Sequence, residues 1–146
     1  MNDAIRVLVA EDNEDHLFFI VRALREVSGV GFEIDAVRDG EEALDFVHRR
    51  GRFADRPRPH MILLDIKMPK ISGLEVLKDL KQHPELRQIP ITVLSSSDRA
   101  EDIDEAYRLG TNTYLVKNMD IEGLKRDLAD AKEYWTETAR LPRPPQ

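Results

Sequence analysis

Five short apolar, β-branched runs punctuate the chain at Ile5–Ala10, Phe32–Val37, Met61–Leu64, Ile91–Leu94 and Thr113–Val116. Between them the apolar positions change to helical spacing. Leu17, Ile20, Val21, Leu24 and Val27 mark a first helix, and Ala43, Leu44 and Val47 a second. Leu74, Leu77 and Leu80 mark a third, Ile103, Ala106 and Leu109 a fourth, and Leu124, Leu128, Ala131 and Trp135 a fifth. Boundary residues agree with this division. Asn13 is expected to cap the first helix and Ser72-Gly73 to open the third, while Asp98 with Glu101 reads as a capping box for the fourth. Gly110 is expected to close that fourth helix.

Five strand–helix units in succession predict an α/β fold, with a five-stranded parallel sheet doubly wound by five helices through right-handed crossovers. The third and fourth runs are almost uniformly apolar, as strands buried on both faces require. The expected strand order is 2-1-3-4-5, the flavodoxin-like arrangement, whose switch point lies between strands one and three. Ligands of open α/β sheets gather at that point, outside the carboxyl ends of the strands.

Polar residues at the ends of three of these runs give that edge its chemistry. Glu11 and Asp12 follow the first run, Asp65 the third, and Lys117 the fifth. Three carboxylates brought together repel one another unless a divalent cation joins them, and an all-oxygen site suits magnesium or manganese. Any one of these acids by itself is an ordinary strand-end or turn residue; their joint placement points to phosphate chemistry on an aspartate.

Composition narrows the remaining options. The 146 residues fit one domain, expected over 1–139, with a proline-rich tail at 140–146 that cannot continue a helix. A net charge of −6 argues against general nucleic-acid binding. The arginine run Arg49, Arg50, Arg52, Arg56 and Arg58 reads as a solvated connecting loop. Without cysteine there is no disulfide framework or thiol nucleophile. The apolar runs are too short to span a membrane and the N-terminus lacks a secretory pattern, so a cytoplasmic protein is expected.

At this point the residues resemble a known family. Glu11-Asp12, Asp65 with Met68-Pro69 and Gly73, Ser95-Ser96, and Tyr114-Leu115-Val116-Lys117 resemble the receiver domain of two-component response regulators, in order and in spacing. The resemblance implies that Asp65 is the phosphoacceptor and that Asp12, Asp65 and the Lys67 carbonyl hold the metal, with Glu11 acting through water. It implies that Lys117 faces the phosphoryl oxygens, and that Ser95 and Tyr114 form the switch pair. Ser95 could equally be a strand-end serine bonding backbone, and Tyr114 a half-buried tyrosine with a wet hydroxyl. Two features depart from the family: Asn118 replaces the usual proline after Lys117, making a cis bond there unexpected, and Lys67 lies two residues past the phosphoacceptor. Lys67 and Ser97 are expected to control water access and hence phosphoryl lifetime.

The implied partner is a sensor histidine kinase docking beside the first helix, with Phe18 as a contact unless both Phe18 and Phe19 serve the core. The closing segment Glu133–Pro142, with Ile89-Pro90 and Leu94-Ser95-Ser96-Ser97, resembles the small stand-alone receivers that partner bacterial phytochromes. Those receivers imply a homodimer through the face of the fourth helix, fifth strand and fifth helix, with Trp135 at the contact. Two other readings compete: a non-signalling receiver-like module, and a magnesium-dependent phosphatase with an aspartyl nucleophile. The phosphatase usually carries a second acid where this chain has Lys67. A flavin binder is disfavoured because no glycine- and serine-rich phosphate loop follows the first run.

Overall fold

The computed structural model describes residues 4–26, 31–117 and 120–146. Its elements alternate: β1 (Ile5–Ala10), α1 (Glu14–Glu26), β2 (Phe32–Val37), α2 (Gly40–His48), β3 (Met61–Leu64), α3 (Gly73–Gln82), β4 (Ile91–Ser95), α4 (Ala100–Arg108), β5 (Thr113–Val116) and α5 (Ile121–Glu133). The sheet is parallel throughout, in the order β2-β1-β3-β4-β5. Val27 and Asn118 lie outside the described residues, as does the Lys117–Asn118 peptide bond.

Period-2 alternation explains the double winding. Val7 and Val9 of β1 face one layer, with Leu63, Leu17, Ile20, Leu24, Leu124 and Leu128, so α1 and α5 cover that side. Leu8 and Ala10 face the opposite layer, with Leu64, Phe46, Val47, Leu77, Leu80 and Ala106, so α2, α3 and α4 cover the other. The central strands β3 and β4 are therefore buried at every position, and apolar at all but Thr92 and Ser95.

Ladder hydrogen bonds run one residue past the strand ends. Glu11 N–H donates to the Val37 carbonyl at 3.0 Å, Asp65 N–H to Ala10 at 3.0 Å, and Lys117 N–H to Ser95 at 2.7 Å. The polar residues at the carboxyl edge thus inherit the rigidity of the sheet. Asn13 Oδ1 accepts the His16 N–H at 3.0 Å and Ser72 Oγ the Glu75 N–H at 3.3 Å, as the sequence predicts for α1 and α3. Gly110 follows α4 with φ 108°, in the left-handed region that favours glycine.

The capping box expected from Asp98 and Glu101 does not form. Arg99 occupies the N-cap of α4 without a side-chain bond. Ser97 serves instead: its Oγ accepts the Arg99 N–H at 3.3 Å and donates to Asp102 Oδ2 at 2.5 Å. The arginine run is a loop whose charges are largely answered locally, Arg52 pairing with Glu42 and Arg56 with Asp35. After α5 a wider turn closes with Ala139 N–H donating to Tyr134 at 2.6 Å. Residues 140–146 then run extended along the body, where Gln88 Nε2 donates to the Arg143 carbonyl at 3.2 Å and Arg58 Nη1 to Gln146 at 2.8 Å.

Gly73 shows how tightly α3 meets the edge. A Cβ there would lie 1.9 Å from the Asp65 carbonyl oxygen, so only glycine lets the helix start so near β3. Gly73→Ala is expected to destabilise the fold by roughly 3 kcal/mol, because backbone rather than a flexible side chain must move. Chemical denaturation checks this, and a loss under about 1 kcal/mol would contradict the close approach.

Candidate functional site

Glu11, Asp12, Asp65, Ser95 and Lys117 all stand at the carboxyl ends of β1, β3, β4 and β5, around the switch point between β1 and β3. One carboxylate oxygen each from Glu11, Asp12 and Asp65 lies within 4.8 Å of the others. Glu11 and Asp65 are buried, whereas Asp12 opens to solvent. Lys117 Nζ enters the cluster from β5, 3.1 Å from Asp65 Oδ2 and 2.5 Å from Glu11 Oε1. The contact with Glu11 is an ion pair without hydrogen-bond geometry, so that buried oxygen accepts no hydrogen bond among the described residues. Its companion Oε2 accepts the Asn13 N–H at 3.1 Å.

One ammonium against three carboxylates leaves an excess of negative charge in a partly dry site. Burial pushes the Glu11 carboxyl from 4.5 up to about 7; the Lys117 ammonium against it opposes this, and the charge of Asp65 reinforces it. A raised carboxyl binds its proton more tightly in the folded chain than in the unfolded one. That stabilisation is fully present below 4.5 and is lost as pH rises through about 7. Metal-free wild type is thus expected to lose stability relative to Glu11→Gln between pH 5 and pH 8, read by denaturation in chelator; a pH-independent difference would refute it.

The donor set suits a hard divalent cation. It offers only oxygens, and a buried one of them lacks a hydrogen-bond donor. The exposed Lys67 lies in the loop between β3 and α3, two residues after Asp65.

Sequence reasoning missed His16. Its Nδ1 accepts from Lys117 Nζ at 3.0 Å and lies 4.0 Å from Glu11 Oε1. Burial, followed by the Lys117 charge, lowers its pKa, which favours the neutral imidazole that can accept this bond. The available signal was weak, a histidine one turn past the acid pair and 101 residues from its partner.

A second hydrogen-bonded chain leaves the site through the β4–α4 loop. Ser95 Oγ accepts the Ser97 N–H at 3.2 Å, and the Ser97 carbonyl accepts the Tyr114 hydroxyl at 2.9 Å. Tyr107 of α4 lies beyond, its hydroxyl accepting the Tyr114 N–H at 3.1 Å. Ser97 is the joint of this chain, since its own hydroxyl is held by Asp102.

Among the large hydrophobic residues, Phe18 is 59% exposed, Tyr134 52%, Tyr107 49% and Val116 42%. Phe19 turns inward against the α1–α5 core while Phe18 faces out, so the two rings do not share a role. Trp135 is half-buried against the same core, and Tyr134, 5.1 Å from it by ring centroid, is the exposed member of that pair.

An acid cluster, a lysine and a hydroxyl at the switch point of a 2-1-3-4-5 sheet define a receiver-type protein. The chain belongs to the response regulator receiver domain family, whose model matches residues 7–129. It is similar to a probable methanogenesis regulatory protein, FilR2 of Methanothrix harundinacea, at 39% identity over 142 residues, covering 97% of this chain and 90% of that one. It is similar to the response regulator Rcp1 of Synechocystis, at 35% identity over 136 residues, covering 93% and 92%. The solved Mn2+-bound form of Rcp1 matches with a TM-score of 0.88, at 34% identity over 94% of this chain and 99% of that one. The phosphorylated cyanobacterial phytochrome response regulator RcpA matches with a TM-score of 0.91, at 37% identity over 96% and 99%.

Proposed function

We propose that this chain, as a receiver over residues 1–139 with a tail at 140–146, is a single-domain response regulator that takes a phosphoryl group onto Asp65. The observation that carries the reading is the Asp65 carboxylate, buried at the sheet edge with Lys117 Nζ 3.1 Å away and two further acids beside it. Asp65 acts as nucleophile: one carboxylate oxygen forms the new P–O bond as the P–N bond to a kinase phosphohistidine breaks, leaving an acyl phosphate and a neutral imidazole once a proton is returned. Lys117 pairs with the phosphoryl oxygens in place of a carboxylate. Asp12, Asp65, the Lys67 carbonyl and, through water, Glu11 would hold Mg2+ or Mn2+, which neutralises charge on the transferring group. No external substrate is turned over, and the enzyme alternative lacks the second acid that Lys67 replaces.

The response follows from the Ser95–Ser97–Tyr114 chain. Ser95 Oγ swings to a phosphoryl oxygen and releases the Ser97 N–H, and the Tyr114 hydroxyl then loses its fixed acceptor. Lys67 and Ser97 set the lifetime of the acyl phosphate by governing water access. Output passes through α4, β5 and the end of α5, where Tyr107, Val116 and Tyr134 supply exposed apolar area for a homodimer beside Trp135. Phe18 is the contact for a sensor histidine kinase, and the likeness to RcpA supports a phytochrome as that kinase.

The test is incubation with a small-molecule phosphodonor, read by intact mass and site mapping. One added phosphoryl group on Asp65 is expected with Mg2+, and at least about a hundredfold slower labelling in chelator, the scale of one lost charge-stabilising group. Labelling that ignores the chelator, or maps elsewhere, would overturn the proposal.

A further inference from the structure

The contact between α2 and α3 is mostly apolar, built by Phe46, Val47, Leu77 and Leu80. One polar group interrupts it. His48, the last residue of α2, places Nε2 2.7 Å from Oδ1 of Asp79 on α3. One turn further, His83 follows α3 with its Nδ1 2.8 Å from the Asp79 carbonyl and 3.5 Å from the same Oδ1. The imidazole rings meet edge-on, with centroids 4.7 Å apart and planes at 72°. One donor atom from each of the three residues lies within 4.8 Å of the other two, and all three residues are partly exposed.

Helix packing does not require this arrangement. Two imidazoles are brought to one carboxylate oxygen, His48 from α2 and His83 from the next turn beyond Asp79. Two imidazole nitrogens and one carboxylate oxygen form a borderline donor set, suited to zinc and its neighbours more than to magnesium. Metal–ligand bonds of about 2.0–2.1 Å in a tetrahedron separate adjacent donors by about 3.3 Å. The observed separations of 2.7 and 3.5 Å bracket that value, so small side-chain movements open the site.

We propose that His48, Asp79 and His83 bind a zinc-class divalent ion, with water in the fourth position, and thereby clamp α2 to α3. Asp79 and His83, four residues apart, present their donors along one helical face, and His48 closes the site from the neighbouring helix. On binding, the His48 proton moves to Nδ1, Nε2 becomes a ligand, and the ion takes the place of the hydrogen bond to Asp79. His83 binds as a neutral imidazole through Nδ1, its proton moving to Nε2 and its bond to the Asp79 carbonyl giving way to the ion. Glu11, Asp12 and Asp65 keep their preference for a hard cation, so the two sites differ in the metal they select. This second site stands or falls independently of phosphorylation at Asp65.

Calorimetric titration of the whole chain with Zn2+ in excess Mg2+, which fills the acidic cluster, tests the assignment. One Zn2+ per chain is expected, with a higher unfolding temperature. His48→Gln, His83→Gln and Asp79→Asn are each expected to weaken binding at least tenfold, with far-ultraviolet circular dichroism verifying the fold. Co2+ in place of Zn2+ should give tetrahedral absorption bands that His83→Gln removes. His83 lies past the end of α3 and is partly exposed, so its variant carries the test even if His48→Gln misfolds. Wild type that takes up no Zn2+ with Mg2+ present, or a folded His83→Gln with unchanged affinity, would overturn the assignment.

Discussion

Asp65→Asn is expected to accept no phosphoryl group from a small-molecule donor or from a histidine kinase, while remaining folded. The amide keeps the size of the carboxylate, so the packing beside β3 is preserved. It also removes one of three crowded negative charges, and the Asp65 charge is one of the causes that raise the Glu11 carboxyl. The variant should therefore be at least as stable as wild type without metal, which separates lost chemistry from lost folding. An amide oxygen is a far poorer nucleophile toward phosphorus, so the loss should be complete within detection. The same variant should not respond to beryllofluoride with Mg2+, which mimics an aspartyl phosphate. Wild type should gain mass by size-exclusion chromatography with light scattering if phosphorylation drives dimerisation. A fixed mass with a changed Trp135 fluorescence would place the output in a different partner. Labelling of Asp65→Asn at wild-type rate would remove Asp65 from the central role.

The sheet was readable because burial on both faces leaves a plain trace. The four residues of β3 and five of β4 are all buried, and their runs are almost uniformly apolar in the sequence, Thr92 and Ser95 being the exceptions. The edge chemistry was readable for a related reason: each polar residue interrupts its apolar run where the strand stops. Capping of α4 was not, because Ser97, Asp98 and Glu101 offer several nearly equivalent local bonds. A long-range contact goes with the Ser97 choice, the Tyr114 hydroxyl holding the Ser97 carbonyl, while Asp102 in the first turn of α4 holds its hydroxyl. His16 at Lys117, and the Tyr107 hydroxyl at the Tyr114 N–H, depend likewise on packing of distant elements. Adjacent aromatics pose the same problem. Phe18 and Phe19 point about 100° apart on α1, Tyr134 and Trp135 diverge likewise in the wider turn after α5, and sequence does not say which member faces the core.

Lys117→Met carries the other large effect, and it should be visible in both chemistry and stability. Methionine keeps much of the length of the aliphatic stem, so packing loss is limited. What disappears is the ammonium between Glu11 and Asp65, the nearest cation to both carboxylates. Removing one partner from a buried ion group leaves uncompensated charge and typically costs about 3–5 kcal/mol. Here Glu11 can take up a proton, since its carboxyl already titrates near 7 and loses a lowering influence when the ammonium goes. The loss should thus fall toward the lower end of that range at pH 6 and the upper end at pH 8, and Mg2+ should recover part of it by restoring positive charge. Phosphorylation is a different matter, because the metal cannot occupy the Lys117 position against the phosphoryl oxygens. Labelling of Asp65 should slow by about a hundredfold or more even at saturating Mg2+. Denaturation at the two pH values, with and without Mg2+, and labelling kinetics together decide the case. If Mg2+ restored the rate as fully as the stability, Lys117 would be a counter-ion of the resting site and not a participant in phosphoryl transfer.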